Sequence, residues 1–237
     1  MRFKKDIIIY LAGLLFACHP TNILESYDKE LIEVQAKIDS TILKIITPYQ
    51  DGIEDEMSKV ITYTKKNIEK GKPQSTIGNF VTDLCLNYAN ADICIMNNGG
   101  LRTSIDKGEI TTGKLYELMP FENELVLLEL DKNDYIKLLN YIEYRGGEPF
   151  SGMTITMNQD GKIVDHSWPV NFDNGDKITV LTSDYLANGG DNMSFFEGKL
   201  QHKVGIKLRD AIIDHCSKID TIDISIDDRL TIITHEE

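Results

Sequence analysis

Three short stretches carry residue types that together suit a flat heterocycle bearing a sugar and a phosphate. Asn97-Asn98-Gly99-Gly100-Leu101-Arg102 follows the apolar run Ile93-Cys94-Ile95-Met96 and precedes the polar turn Thr103-Ser104-Ile105-Asp106. Two glycines closing an extended run let backbone amides approach an anion, and the arginine adds charge with a fork geometry. Far along the chain, Thr179-Val180-Leu181-Thr182 reads as a strand that opens into Ser183-Asp184-Tyr185-Leu186-Ala187-Asn188-Gly189-Gly190-Asp191. This second glycine pair carries an aromatic ring, Tyr185, and a carboxylate, Asp191. Between the two lies Leu118-Met119-Pro120-Phe121-Glu122-Asn123, a proline-marked turn that presents Phe121 ahead of the apolar run Leu125 to Leu130. Each residue alone has an ordinary alternative. Gly-Gly is a common turn, an aromatic ring a common core residue, an aspartate after glycine a common cap, and an arginine a common surface ion pair.

Residues for metal chemistry are sparse. The five histidines (His19, His166, His202, His215, His235) form no Asp-x-His, His-x-His or Gly-Asn-His pattern. Asp165-His166 and Asp214-His215 are adjacent pairs, which point apart in a strand and do not share a helix face. A two-metal hydrolase needs several such ligands a few ångströms apart, so no metal site and no catalytic residue is expected in this chain. There is also no Gly-x-Ser-x-Gly elbow and no P-loop.

The elements that must position the three stretches follow from periodicity. Apolar residues from Leu31 to Ile46 fall three and four apart and predict an amphipathic helix from Lys29 to about Gln50, either packed on its own domain or free to dock a partner. Val60 to Thr64 reads as a strand and Lys65 to Gln74 as a polar loop. Ser75 or Thr76 caps a helix through Tyr88. A short helix begins at Thr111 or Thr112 and is closed by Pro120. The strand Glu124 to Leu130 is followed by a helix capped by Asn133 or Asp134. Met153 to Met157 and Ile163 to Val164 flank Asn158-Gln159-Asp160-Gly161 as a hairpin. A strand from Lys177 to Leu181, a helix from Val204 to Ile219 and a strand from Arg229 to Ile233 complete the order. Helices and antiparallel signals mix without regular alternation, which predicts an α+β fold, a mixed β-sheet flanked by helices, with an additional N-terminal helix.

The chain has 237 residues, of which 41% are hydrophobic, and a formal charge of −13. That length supports one sizeable core, and so acidic a balance argues against nucleic acid as a partner. Arg2, Lys4 and Lys5, then the apolar Ile7 to Phe16, then Leu15-Phe16-Ala17-Cys18 predict an export signal ending in a bacterial lipobox, with Cys18 the lipidated residue. A plain secretory signal is the alternative. Residues 19 to 28 would tether the domain to a membrane-bound lipid, in the bacterial cell envelope. Cys85, Cys94 and Cys216 lie in apolar contexts and read as buried free thiols.

Asn-Asn-Gly-Gly-Leu-Arg, the run Glu109 to Leu130 and Tyr-Leu-Ala-Asn-Gly-Gly-Asp, in this order between about residues 60 and 233, resemble the C-terminal domain of the 5′-nucleotidase family. That domain holds the nucleoside in those two-domain hydrolases. The resemblance implies a domain over 59–237, after a signal over 1–18 and a tether and helix over 19–58. It implies that Phe121 and Tyr185 stack on the base, Asp191 accepts from ribose hydroxyls and Arg102 faces the phosphate. Asn97 and Asn123 would lie near base or sugar, with Gly99, Gly100 and Gly190 in the binding loops. Three departures stand out. Tyr185 replaces the family's usual phenylalanine, Asp191 is followed by Asn192-Met193 rather than Gly-Phe, and only Lys70 and Lys72 stand where the family tends to place an arginine upstream of Gly78-Asn79. In the family, the divalent metals belong to an N-terminal metallophosphatase domain. The implied function is therefore substrate recognition: a nucleotide or nucleoside as ligand, no cofactor in this chain, and metals held by a separate metallophosphatase subunit. The alternatives are a stand-alone surface nucleoside-binding lipoprotein and a scaffold that has lost its ligand.

Overall fold

A computed structural model of the chain describes residues 39–233. The expected signal and lipobox, Cys18 included, the tether and the first part of the N-terminal helix lie outside the described residues. By its contacts the chain divides into residues 1–44 and 45–237. Of the first unit only the start of helix α1 (Ser40–Met57) is described, where Asp39 Oδ1 accepts from the Thr41 amide at 2.7 Å. The helix continues past Gln50 to Met57. None of its residues is buried, and Ile42, Ile45, Tyr49 and Ile53 are exposed. Among the described residues no helix is long and apolar enough to cross a membrane.

The second unit is built on a five-stranded sheet in the order β5 (Phe150–Ser151), β2 (Ile93–Ile95), β8 (Ile178–Ser183), β4 (Glu124–Leu130), β9 (His202–Lys207). β2 and β8 are parallel, and the other pairings are antiparallel. Alternation along the strands divides the core. Cys94, Leu125 and Leu181 face helices α2 (Thr76–Cys85), α3 (Thr112–Leu118) and α6 (Leu208–Ser217). Ile93, Ile95, Val126, Leu128, Ile178 and Val180 face helix α4 (Lys132–Arg145) and Phe196. A sheet with apolar residues on both faces must be covered on both, which fixes the layering. Two small sheets flank it: β10 (Thr221–Ile222) with β1 (Val60–Thr64) and β3 (Gly108–Thr111), and β11 (Leu230–Ile232) with β6 (Ile155–Met157) and β7 (Ile163–His166). The architecture is α+β, mixed sheets flanked by helices. Cys85, Cys94 and Cys216 are free and buried.

Local chemistry explains most boundaries. The Ser75 hydroxyl caps α2 by accepting from the Gly78 amide at 3.1 Å, and Thr111 caps α3. α4 is capped by Asp131 rather than Asn133 or Asp134, its carboxylate accepting from the Asp134 amide at 2.9 Å. The largest departure is at 204–219, where the first four residues are not helical. Residues 202–207 form edge strand β9 against β4, and α6 starts only at Leu208. Val204, Ile206 and Leu208 alternate, a period of two that the helical reading overlooked.

Candidate functional site

Strand direction brings the three stretches to one end of the sheet. β2 and β8 are parallel, with Cys94 opposite Leu181, so both finish at the same end. β4 is antiparallel to β8, with Leu125 opposite Ser183, so it begins there. The Thr182 hydroxyl donates to the Ile95 carbonyl oxygen at 2.9 Å, and the Glu124 amide donates to Asp184 Oδ1 at 3.2 Å. Asn97–Arg102, Phe121–Asn123 and Tyr185–Asp191, the last starting in the short helix α5 (Asp184–Ala187), thus emerge side by side. Ligand sites in open sheets lie at such strand ends, where loops diverge.

Asp191 is the point on which the first and third of these loops meet. Asn97 Nδ2 donates to its Oδ2 at 2.5 Å, across 94 positions of sequence. The Tyr185 hydroxyl donates to Oδ1 at 3.2 Å and accepts from the Asp191 amide at 3.2 Å. The Tyr141 hydroxyl donates to the Asp191 carbonyl oxygen at 3.1 Å. These contacts hold Asp191 at φ 52°, ψ 26°, a left-handed conformation that L residues seldom adopt. Gly100 closes the first loop with its amide on the Asn97 carbonyl oxygen at 3.0 Å, while Gly99 is exposed beside the carboxylate. Gly190 lies so close to Tyr185 that an added Cβ would stand 2.6 Å from the ring. The carboxylate keeps unused lone pairs on both oxygens and can accept from a diol.

Phe121 and Tyr185 are 42% and 44% exposed, so neither is the core residue that an aromatic side chain most often is. The Arg102 guanidinium lies 6.0 Å from the Phe121 ring centroid and donates to the Gly99 carbonyl oxygen at 3.2 Å. It is exposed. Asn123 is half-buried, and its carbonyl oxygen accepts from the Leu208 amide at 2.8 Å. Between Phe121 and Asn123, Glu122 pairs with Lys207 and Arg209, and Arg209 in turn lies 4.3 Å from the Tyr116 ring centroid. The hydrogen bonds from Lys207 and Arg209 pull the Glu122 carboxyl down from 4.5 to about 2. A carboxylate with a lowered value stabilises the fold above its ordinary pKa, and that contribution is lost as pH falls through the folded value. A carboxyl-detected NMR titration is expected to place Glu122 near 2, moving toward 4.5 in Lys207→Met. A midpoint near 4.5 in the unaltered protein would contradict this.

Three residues on and after α4 also belong to the cluster. Besides Tyr141, Arg145 Nη2 stands 3.9 Å from Asp191 Oδ2, and Arg145 Nε donates to Glu148 Oε1 at 2.8 Å. The buried Glu148 carboxylate also accepts from the Asn98 amide at 2.6 Å, so its charge is satisfied from two sides. The Glu148 hydrogen bond raises the Arg145 guanidinium above its ordinary value. Lys72 pairs with Glu148 at 3.8 Å, and Lys70 donates its amide to the Ser104 hydroxyl. A hollow of about 540 Å³ lies at the opposite sheet end, lined by Lys132, Trp168, Phe172 and Asp173. It includes none of the residues singled out above.

Glu122 is held by Lys207 and Arg209 and Glu148 by Arg145 and the Asn98 amide, while Asp184 accepts from the Glu124 and Tyr185 amides; the charge nearest Asp191 is the Arg145 guanidinium, which repels a cation. Among the described residues no group of three or more His, Cys, Asp or Glu could hold a metal ion.

The sequence model of the family described as "5′-nucleotidase, C-terminal domain" matches residues 59–198, more than half of the chain. A 5′-nucleotidase of Vibrio vulnificus (strain CMCP6) is 26% identical over 142 residues, 56% of this chain and 26% of that protein. The cell wall protein Lmo0130 of Listeria monocytogenes is 30% identical over 148 residues, 52% of this chain and 19% of that protein. In structure, the 5′-nucleotidase precursor of Thermus thermophilus superposes with a TM-score of 0.69 at 23% identity, covering 81% of this chain and 43% of that one. The chain thus spans less than half the length of each of these relatives. With loops, sheet and sequence in agreement, the chain belongs to the 5′-nucleotidase C-terminal domain family.

Proposed function

We propose that this chain is the nucleotide- or nucleoside-binding half of a 5′-nucleotidase, and that a separate metallophosphatase chain hydrolyses the phosphate ester. The observation that carries the reading is the convergence of Arg102, Phe121, Tyr185 and Asp191 at one sheet end, with both rings exposed and the carboxylate fixed. Phe121 and Tyr185 offer π-faces to a base, each worth about 1–3 kcal/mol by stacking. Asp191 accepts from the ribose hydroxyls, with Asn97 and Asn123 beside the base or sugar. Arg102 faces the phosphate as a forked donor. Held at these points, the ester would be oriented over metals supplied in trans, a proximity effect divided between two chains. Export to the cell envelope, with lipid on Cys18, accords with the leader-like residues 1–18 and with the cell-wall relative.

The division of labour is tested by phosphate release. With AMP and divalent metal, the chain alone is expected to release none, and adding a metallophosphatase partner restores release in a manner sensitive to Arg102→Met. Turnover by the chain alone at an enzymatic rate would sink the proposal.

A further inference from the structure

We infer that the Tyr185 hydroxyl is a positioning device that sets the Asp191 carboxylate for a vicinal diol, and so makes this site select ribonucleosides. The inference rests on the nucleoside reading above. A phenol has one proton to donate and lone pairs to accept with. Both functions are spent on Asp191: the proton goes to Oδ1 and the lone pair receives the Asp191 amide, each at 3.2 Å. No proton is left for a ligand, so the hydroxyl acts through Asp191 rather than on the substrate.

What it holds would otherwise drift. Asp191 sits in the left-handed region, and such a residue persists where its surroundings over-determine it. Here the amide is fixed by Tyr185, the carbonyl oxygen by Tyr141 and Oδ2 by Asn97. Only the Tyr185 contact fixes both the backbone and the remaining carboxylate oxygen. The ring reaches this position because Gly190 has no Cβ, which would stand 2.6 Å from Cε1 and Cζ. A phenylalanine ring fits the same space but cannot tether the carboxylate. With Oδ1 and Oδ2 each holding one protein donor and the side chain 25% exposed, each oxygen keeps lone pairs, two neighbouring acceptors spaced for adjacent hydroxyls.

The test is a two-by-two binding comparison on the full chain: adenosine and 2′,3′-dideoxyadenosine against the unaltered protein and Tyr185→Phe. The phenylalanine variant is expected to lose about three- to tenfold in adenosine affinity, the worth of one hydrogen-bonded tether, and to bind the dideoxy compound within about twofold of the unaltered protein. Equal losses on both ligands, or no loss on either, would overturn the inference while leaving the nucleoside site standing. If the unaltered protein binds neither compound, the nucleoside reading itself fails and this inference with it. Thermal midpoints recorded alongside identify a variant that lost affinity by unfolding.

Discussion

Asp191→Asn is expected to weaken adenosine and AMP binding by on the order of a hundredfold while changing folding stability by less than about 1 kcal/mol. Hydrogen bonds to a charged group are worth about 1.5–3 kcal/mol each, and the amide replaces a carboxylate with one acceptor oxygen. Stability is spared because asparagine tolerates the left-handed φ of 52° at position 191. Its side-chain oxygen can still accept from Asn97 Nδ2, and the new NH₂ can donate to the Tyr185 hydroxyl, which turns to accept. Alanine would be the worse probe, since it removes both partners in a conformation it disfavours. Calorimetric titration gives the affinity and urea unfolding the stability. Binding unchanged within about threefold would remove Asp191 from the ligand.

Gly147→Ala is expected to cost roughly 3–5 kcal/mol, a fall in melting midpoint on the order of 10 °C for a chain of this size. Gly147 follows the end of α4 with φ 100°, and an added Cβ would stand 2.2 Å from the Pro73 carbonyl oxygen and 2.5 Å from Pro73 Cα. Backbone cannot move aside as a flexible side chain does, and left-handed strain adds to the clash. The neighbouring Gly146 is the control. It has φ 67° but nothing within 4 Å of where an added Cβ would stand, so Gly146→Ala should cost only about 1–2 kcal/mol, the conformational strain alone. Equal costs at the two positions would show that the close approach to Pro73 is not maintained in solution. Because Glu148 follows directly and holds the Asn98 amide, the Gly147 variant should also bind nucleoside less tightly where it remains folded.

Much of this was legible in the chain because the signals are local. The apolar stretch Leu125 to Leu128 lies in a central strand, Ser75 and Thr111 are helix caps, and Asn158 to Gly161 is a hairpin turn. The candidate residues were legible through their turn chemistry, glycines and a proline between apolar runs, together with the family resemblance. What stayed hidden depends on non-local pairing. β9 alternates over only a few residues and is a strand because β4 lies beside it. β5 and β10 are two residues long, too short for any period to show. Asp131, Asn133 and Asp134 can each cap a helix, and only the backbone shows which does. Tyr141 and Arg145 gave no sign of reaching Asp191, nor Glu148 of holding the Asn98 amide, since α4 meets that loop through the packing of the second core and through no spacing in the sequence.

The nucleoside site is tested most directly by thermal unfolding of the metal-free chain with and without adenosine or AMP. Ligand at about 100 times its dissociation constant adds roughly 2.7 kcal/mol, a midpoint rise of about 5–11 °C for a chain of this size. A rise of that order, strongly reduced in Asp191→Asn at the same concentration, is the expected result. No rise with either ligand at millimolar concentration would contradict a preformed nucleoside site at this end of the sheet.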